Sequence, residues 1–174
     1  VDFDPQGNET SGLGLEKENL EQTVYELLIG DCKLSDCLVK EVQPNLDVIP
    51  SNVNLAGAEI ELLEMDDKEK ILRGFLRRIK KNYDFIIIDC PPSLSLLTIN
   101  ALVAADTVLV PIQCEYYALE GLNQVMKTIQ LVKKGLNPKL EMEGVVFTMY
   151  DSRTNLSNEV VQSVRESLNE NIYN

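Results

Sequence analysis

Three stretches bring together residue types that can do chemistry. The first is Asp2-Phe3-Asp4-Pro5-Gln6-Gly7-Asn8. Two carboxylates two positions apart project the same way along an extended backbone. Paired acids at a strand end suit a divalent cation and an attacking water. The second is Asp84 to Asn100, DFIIIDCPPSLSLLTIN. Its apolar run Phe85 to Ile88 is too short for a helix and rich in β-branching, so it reads as a strand buried on both faces. The run ends in Asp89, and Pro91 and Pro92 then forbid continuation of a strand ladder and force a turn. The third is PIQCEYYALEGL, Pro111 to Leu122. It is a strand end, a polar loop and a helix start, to which chemistry alone assigns no role.

A carboxylate at the carboxyl end of a central parallel strand stands where open α/β sheets bind ligands. In P-loop nucleotidases such an acid holds the Mg²⁺ shell. A strand-ending Asp that caps the following turn is equally common chemistry, and strand and turn alone leave the two readings level for Asp89. Gly7 and Gly12 have the spacing of a phosphate-binding loop, but Leu13 and Gly14 stand where Lys and Ser/Thr are required. The chain contains no G-x-x-x-x-G-K-[ST], so it has no lysine placed to meet β- and γ-phosphates. Gly12 and Gly14 read instead as flexibility in a loop from Thr10 to Leu15.

Composition narrows the classes. The 174 residues suffice for one domain with a real core, and 44% hydrophobic with 25% charged residues is ordinary for a globular protein. There is no histidine, which removes His-based catalysis and His metal ligation. The formal charge of −12 argues against a generally basic, nucleic-acid-coating surface while leaving room for a local basic patch. Cys32, Cys37, Cys90 and Cys114 form no C-x-x-C pair and read as reduced thiols of an intracellular protein. No apolar segment is long enough to span a bilayer, and no signal peptide is visible. The chain opens on Val1-Asp2 and closes on Asn171-Ile172-Tyr173-Asn174 without a stop signal, which reads as a piece of a longer protein.

Around the acids the pattern alternates. Leu20 to Ile29 reads as a short helix closed by Gly30, and Leu46 to Ile49 as a short strand before Pro50. Asn54 is placed to cap a helix through Leu63, and Asp66 with Glu69 makes a capping box for a helix with Ile71, Leu72, Phe75, Leu76 and Ile79 on one face. The opposite face of that helix holds Lys68, Lys70, Arg73, Arg77, Arg78, Lys80 and Lys81. A solvated face accounts for it more economically than a nucleic-acid patch. Thr107 to Ile112 reads as a strand, Leu119 to Val132 as a long helix stopped at Lys133-Lys134-Gly135, Val145 to Met149 as a strand, and a last helix opens at Asn155 or Ser157. Alternating strands and helices predict an α/β fold, a parallel sheet covered by helices on both faces, in one domain over residues 1–174.

DFDPQGN, NYDFIIIDCPPSLSLLTINAL, PIQCEYYALEGL and TMYDSRTNLS stand in the order and spacing of the ParA/Soj family, the deviant-Walker ATPases that segregate chromosomes and plasmids. The resemblance runs over essentially the whole chain. It implies a doubly wound, mostly parallel P-loop NTPase-like sheet truncated at both ends, without the Lys-bearing P-loop and the C-terminal part. It implies ATP and Mg²⁺ as cofactors and ATP hydrolysis by the longer parent, with this piece inactive alone. It also implies a homodimer, non-specific DNA and a ParB-type centromere-binding protein as partners, no membrane, and a cytoplasmic, nucleoid-associated location. By motif, Asp4 resembles the acid that orients the attacking water and Asp2 the neighbouring acid near the metal. Asp89 resembles the acid that holds a Mg²⁺-bound water, and Pro91 and Pro92 the turn that senses the γ-phosphate. Arg153 stands where Soj-type proteins place a DNA-facing basic residue; read without the family it is a solvated loop arginine. Two related activities fit less well. A MinD-like membrane-associated ATPase looks less like this chain at CEYYALEGL, and an iron–sulfur carrier needs cysteine spacings that are absent. A non-catalytic module without a P-loop is a third reading, for the piece itself.

Overall fold

The computed structural model describes residues 1–91, 93, 95–168 and 172–173. They divide into two compact units, Val1–Ala104 and Ala105–Asn174.

In the first unit, α1 (Asn8–Gly12) occupies part of what the sequence reads as a flexible loop. Gly7 makes the difference. It sits in the left-handed region at φ 60°, and its N–H donates to Asp4 O at 2.9 Å, turning the chain into the helix. A Cβ there would lie 2.9 Å from Ser51 O, so only glycine fits. The next helix, α2 (Val24–Ile29), starts later than its apolar pattern suggests, because Thr23 and Glu26 form a capping box and Gly30, at φ 87°, ends it. After α3 (Leu34–Cys37), strands β1 (Val39–Gln43) and β2 (Leu46–Val48) form an antiparallel hairpin. Helices α4 (Leu55–Leu63), α5 (Ile71–Ile79) and α6 (Leu96–Ala104) complete the unit. Phe3, Leu27, Leu55, Leu62, Leu72 and Leu97 meet in its core.

Several local expectations need correction. Asn54 is itself helical in backbone and makes no side-chain cap. Asp66 and Glu69 form no capping box; a 3₁₀ turn, Lys68–Lys70, precedes α5 instead. The first turn of α5 is served by Asn100 of α6. Its Oδ1 accepts from Leu72 N–H at 3.3 Å, and its Nδ2 donates to Lys68 O at 2.8 Å and Leu96 O at 3.1 Å. Phe85 to Ile88 is not buried on both faces. Ile86 and Ile88 pack against the core, while Phe85 is 85% and Ile87 75% exposed. The segment alternates as an extended chain does, and it pairs in parallel with the chain start through the bridge between Asp2 and Asp89 and a bond from the Val1 amine to Ile87 O at 2.7 Å.

The second unit is a three-stranded parallel sheet, β3 (Thr107–Gln113), β4 (Glu141–Thr148) and β5 (Ile172–Tyr173), in that order. Helix α7 (Ala118–Gly135) connects the first two strands, and α8 (Asn155–Ser167) follows β4. Parallel neighbours require such crossovers. Val110, Ile112 and Val145 of the strands and Leu122, Ile129, Val132, Val160 and Val164 of the helices are buried. Thr154, one residue before the expected start, caps α8 by accepting from Ser157 N–H. Among the described residues no helix is long and apolar enough to cross a membrane.

Candidate active site

The site is built on two parallel segments of the first unit. Phe3 N–H donates to Asp89 O at 2.7 Å, and Asp89 N–H donates to Val1 O at 3.0 Å. On its other edge the Val1–Phe3 segment takes a bond from Asp2 N–H to Ile49 O at 3.0 Å. Because the segments run the same way, Asp4 lies at the same end of the pair as Asp89.

Asp2 is fully buried. Its Oδ2 accepts from Thr10 N–H at 2.8 Å and from Thr10 Oγ1–H at 2.7 Å, and its Oδ1 accepts from Asp4 N–H at 3.2 Å. A carboxylate offers about four lone-pair sites, so Asp2 is largely committed to holding the loop and keeps one direction on Oδ1. Thr10 in turn accepts from Ser51 N–H at 2.9 Å, and Ser51 Oγ–H donates to Asp4 O at 2.8 Å. This Asp2–Thr10–Ser51 network fixes the Asp4 backbone from below. Among the described residues Asp4 spends only Oδ1, accepting from Gln6 N–H at 2.9 Å, which leaves its other oxygen for a water or substrate.

Asp89 lies at the surface beside them. Partial burial first, and then the carboxylates of Asp2 and Asp4, push its acid up from the ordinary 3.8. Glu9 of α1 is raised above its ordinary 4.5, again by burial first, and its Oε2 is a buried acceptor without a hydrogen-bond partner. Oxygen atoms of Asp2, Glu9 and Asp89 lie within 4.8 Å of one another. Crowded acid oxygens of this kind, with the Val1 ammonium 4.0 Å from Glu9 Oε1 as the cation beside them, fit a hard divalent cation such as Mg²⁺. Asp89 and Glu9 would supply its direct or water-mediated ligands, and Asp2 at most one.

Pro91 is half-buried, and its carbonyl accepts from Thr98 Oγ1–H at 3.3 Å, which ties the turn to α6. Pro92 lies outside the described residues. Arg153 is in the second unit, before α8. Its guanidinium forks onto Asp151, Nε to Oδ1 at 2.9 Å and Nη2 to Oδ2 at 2.8 Å, with 87% of the arginine side chain exposed. That bond raises Arg153 and holds Asp151 below its ordinary 3.8. A phosphate reaching Arg153 therefore meets a guanidinium already shared with a carboxylate.

The structure thus brings Asp2, Asp4 and Asp89 together, beside Pro91. Glu9, Thr10 and Ser51 were not anticipated. Thr10 fell inside a stretch read as loop and Glu9 just before it, and a helix start at Asn8 was the missing signal. Ser51 carries no motif; only the fold brings it 41 residues back to Thr10.

Comparison with known proteins places this geometry. A family model described as an AAA domain matches residues 1–142. The sporulation initiation inhibitor protein Soj of Bacillus subtilis is 54% identical over 173 residues, which are 99% of this chain and 68% of that protein. The chromosome partitioning protein ParA of Myxococcus xanthus is 54% identical over 165 residues, 95% of this chain and 58% of that protein. A cobyrinic acid a,c-diamide synthase from Mycobacterium smegmatis, solved with a bound ATP analogue and magnesium, superposes with a TM-score of 0.91 at 41% identity, covering 98% of this chain and 69% of that one. The class is therefore an α/β nucleotide-binding fold of the P-loop NTPase type, a parallel sheet with helices on both faces. Within it, the chain belongs to the ParA/Soj family of partitioning ATPases. It spans between 58% and 68% of the length of the two curated relatives described.

Proposed function

We propose that this chain carries the water-positioning and metal-binding acids of an ATP-driven DNA-partitioning switch. Residues 1–174 are read as part of one nucleotide-binding domain. The observation that carries this reading is the placement of Asp4 and Asp89 at one end of two parallel segments, with Asp2 and Glu9 behind them. In the longer protein, Asp4 orients the water that attacks the γ-phosphate of ATP. Asp89 holds a water of the Mg²⁺ shell, and the Pro91-Pro92 turn follows the presence of the γ-phosphate. Mg²⁺ supplies neutralisation of phosphate charge. ATP binding drives homodimerisation and non-specific DNA binding, in which Arg153 contributes a phosphate contact. A ParB-type centromere-binding protein stimulates hydrolysis and resets the switch in the cytoplasm, on the nucleoid. The relatives named for partitioning are closer, at 54% identity, than the 41% synthase, which favours partitioning over amide formation.

The 174-residue chain alone is expected to bind ATP weakly and to hydrolyse none, since its sequence has no phosphate-cradling G-x-x-x-x-G-K-[ST]. The test uses the full-length protein that carries this sequence. Asp4→Ala should lower the hydrolysis rate by about 10² or more while ATP affinity and dimerisation persist, because a positioning group acts on the chemical step. Arg153→Ala should weaken salt-sensitive DNA binding without altering nucleotide affinity. Hydrolysis by Asp4→Ala at the unsubstituted rate would remove Asp4 from the reaction.

A further inference from the structure

The turn that carries Asp4 is held from two sides. From within, Ser51 Oγ–H and Gly7 N–H both donate to Asp4 O, at 2.8 and 2.9 Å. From outside it is held by one side chain, Lys17, whose ammonium donates to Gln6 O at 2.6 Å. The lysine stem lies against Gly7, where an added Cβ would stand 3.1 Å from Lys17 Cδ. Lys17 therefore crosses the turn like a strap, and the missing side chain of Gly7 leaves room for it.

The lysine itself is anchored. It opens a short 3₁₀ turn, Lys17–Asn19. There Asn19 donates to Glu16 twice, from N–H to O at 2.9 Å and from Nδ2 to Oε2 at 2.6 Å. Leu15 N–H, donating to Thr10 O at 3.1 Å, ties the preceding residues to α1. Lys17 is half-buried, and among the described residues no carboxylate is paired with its ammonium. In a chain with 28 acids and 16 cations, a lysine ordered on a neutral carbonyl calls for a reason. Stability does not supply it. Ordering a lysine side chain costs about as much as one exposed hydrogen bond returns.

The reason lies in what the contact fixes. Pro5 locks its own φ, and Gly7 is held in the left-handed region by its bond to Asp4 O and by Ser51 O beside it. Gln6, exposed between them, is the residue of the turn with most torsional freedom left. Its N–H is also the donor that Asp4 Oδ1 accepts at 2.9 Å. Gln6 thus stands between an ammonium on its carbonyl and the Asp4 carboxylate on its amide.

We propose that Lys17 is a positioning residue for hydrolysis: its ammonium fixes Gln6, and the Gln6 N–H then sets the direction in which Asp4 presents its other oxygen to the attacking water. The proposal rests on the role proposed for Asp4. Lys17 itself touches neither the water nor the nucleotide.

The experiment measures single-turnover ATP hydrolysis by the full-length protein that carries this sequence, with ATP titrations and melting curves beside it. K17M keeps the stem over Gly7 and removes the ammonium. It should lower the hydrolysis rate about 10- to 100-fold, the upper figure being what a displacement of about 1 Å can cost. ATP affinity and melting temperature should stay at the unsubstituted values. K17R, which keeps a charged donor able to reach the same carbonyl, should recover most of the rate. In an Asp4→Ala background K17M should cost nothing further, because residues that act as a unit are not additive. Hydrolysis by K17M at the unsubstituted rate overturns the proposal. So does a loss that K17R fails to recover, a loss matched by weaker ATP binding or a lower melting temperature, or a loss that persists in full without the Asp4 carboxylate. Unimpaired hydrolysis by Asp4→Ala is a separate failure, since it removes Asp4 from the reaction and the proposed function with it. Unimpaired K17M beside an impaired Asp4→Ala removes Lys17 alone.

Discussion

Asp89 shows how a single residue can cost stability for the sake of a ligand. Its acid is raised above 3.8 by burial and by the neighbouring carboxylates of Asp2 and Asp4. The native state therefore binds this proton more tightly than the unfolded chain does, so ionised Asp89 destabilises the fold at neutral pH, and that cost is relieved as pH falls through the folded value toward 3.8. Asp89→Asn is expected to raise the metal-free melting temperature at neutral pH and to flatten this acid dependence. Mg²⁺ should stabilise the unsubstituted chain, by about 1.4 kcal/mol at ten times its dissociation constant, and leave Asp89→Asn nearly unmoved. Melting curves with and without Mg²⁺, over a pH series, read both effects. Tyr83 gives the opposite end of the scale. Its hydroxyl donates to Asp47 at 2.5 Å, and the bond pushes the phenol from 10.0 to about 12 while lowering Asp47 below 3.8. The stabilisation is present below pH 10 and is lost as pH rises toward about 12; on the acid side it is lost as pH falls through the lowered Asp47 value. Tyr83→Phe should cost about 0.5–1.5 kcal/mol at neutral pH and remove the alkaline loss from denaturation curves.

At the scale of elements, the loop between Asp2 and Thr10 is held by its own polar network, and α5 is held by a neighbour. Helix starts leave N–H groups without intrahelical partners. Thr23 and Thr154 solve this locally for α2 and α8, although the sequence reading singled out neither. For α5 the local candidates Asp66 and Glu69 are bypassed, and Asn100, fully buried in α6, reaches Leu72 N–H. Asn100→Ala would leave that buried donor and the Lys68 carbonyl unpaired. About 2–3 kcal/mol of stability should be lost, seen as a lower urea midpoint at an unchanged m-value. A shift of less than half that size would mean that water replaces the amide.

For the whole molecule the governing quantity is the net charge of −12. With 28 acids against 16 cations, self-repulsion opposes the compact state at low ionic strength. Raising monovalent salt from about 10 to 150 mM shortens the screening length from about 30 to 8 Å and should raise the melting temperature by about 2–4 °C, the shift expected for ~1 kcal/mol in a chain of this size. A fall in melting temperature over the same range would show that attractive ion pairs outweigh repulsion.

The sequence by itself determined the class of fold and which acids stand at segment ends. Alternation of short β-branched runs with helical patterns announced α/β architecture, and the acids at Asp2, Asp4 and Asp89 were legible because strand ends and proline turns are local signals. The amphipathic pattern of α5 was legible for the same reason. Only the tertiary structure decided what those acids rest on. Thr10, Ser51 and Asn100 are ordinary polar residues in sequence, and their roles come from partners 8, 41 and 28 positions away. Glu9 joined the acids because the left-handed Gly7 turns the chain into a helix at Asn8, where the sequence pattern announces none. The exposure of Phe85 and Ile87 was likewise hidden, since an apolar run states its affinity for burial but not which of its faces finds a neighbour. Local backbone preference is written residue by residue, whereas hydrogen-bond partnership and burial are properties of what the fold brings alongside.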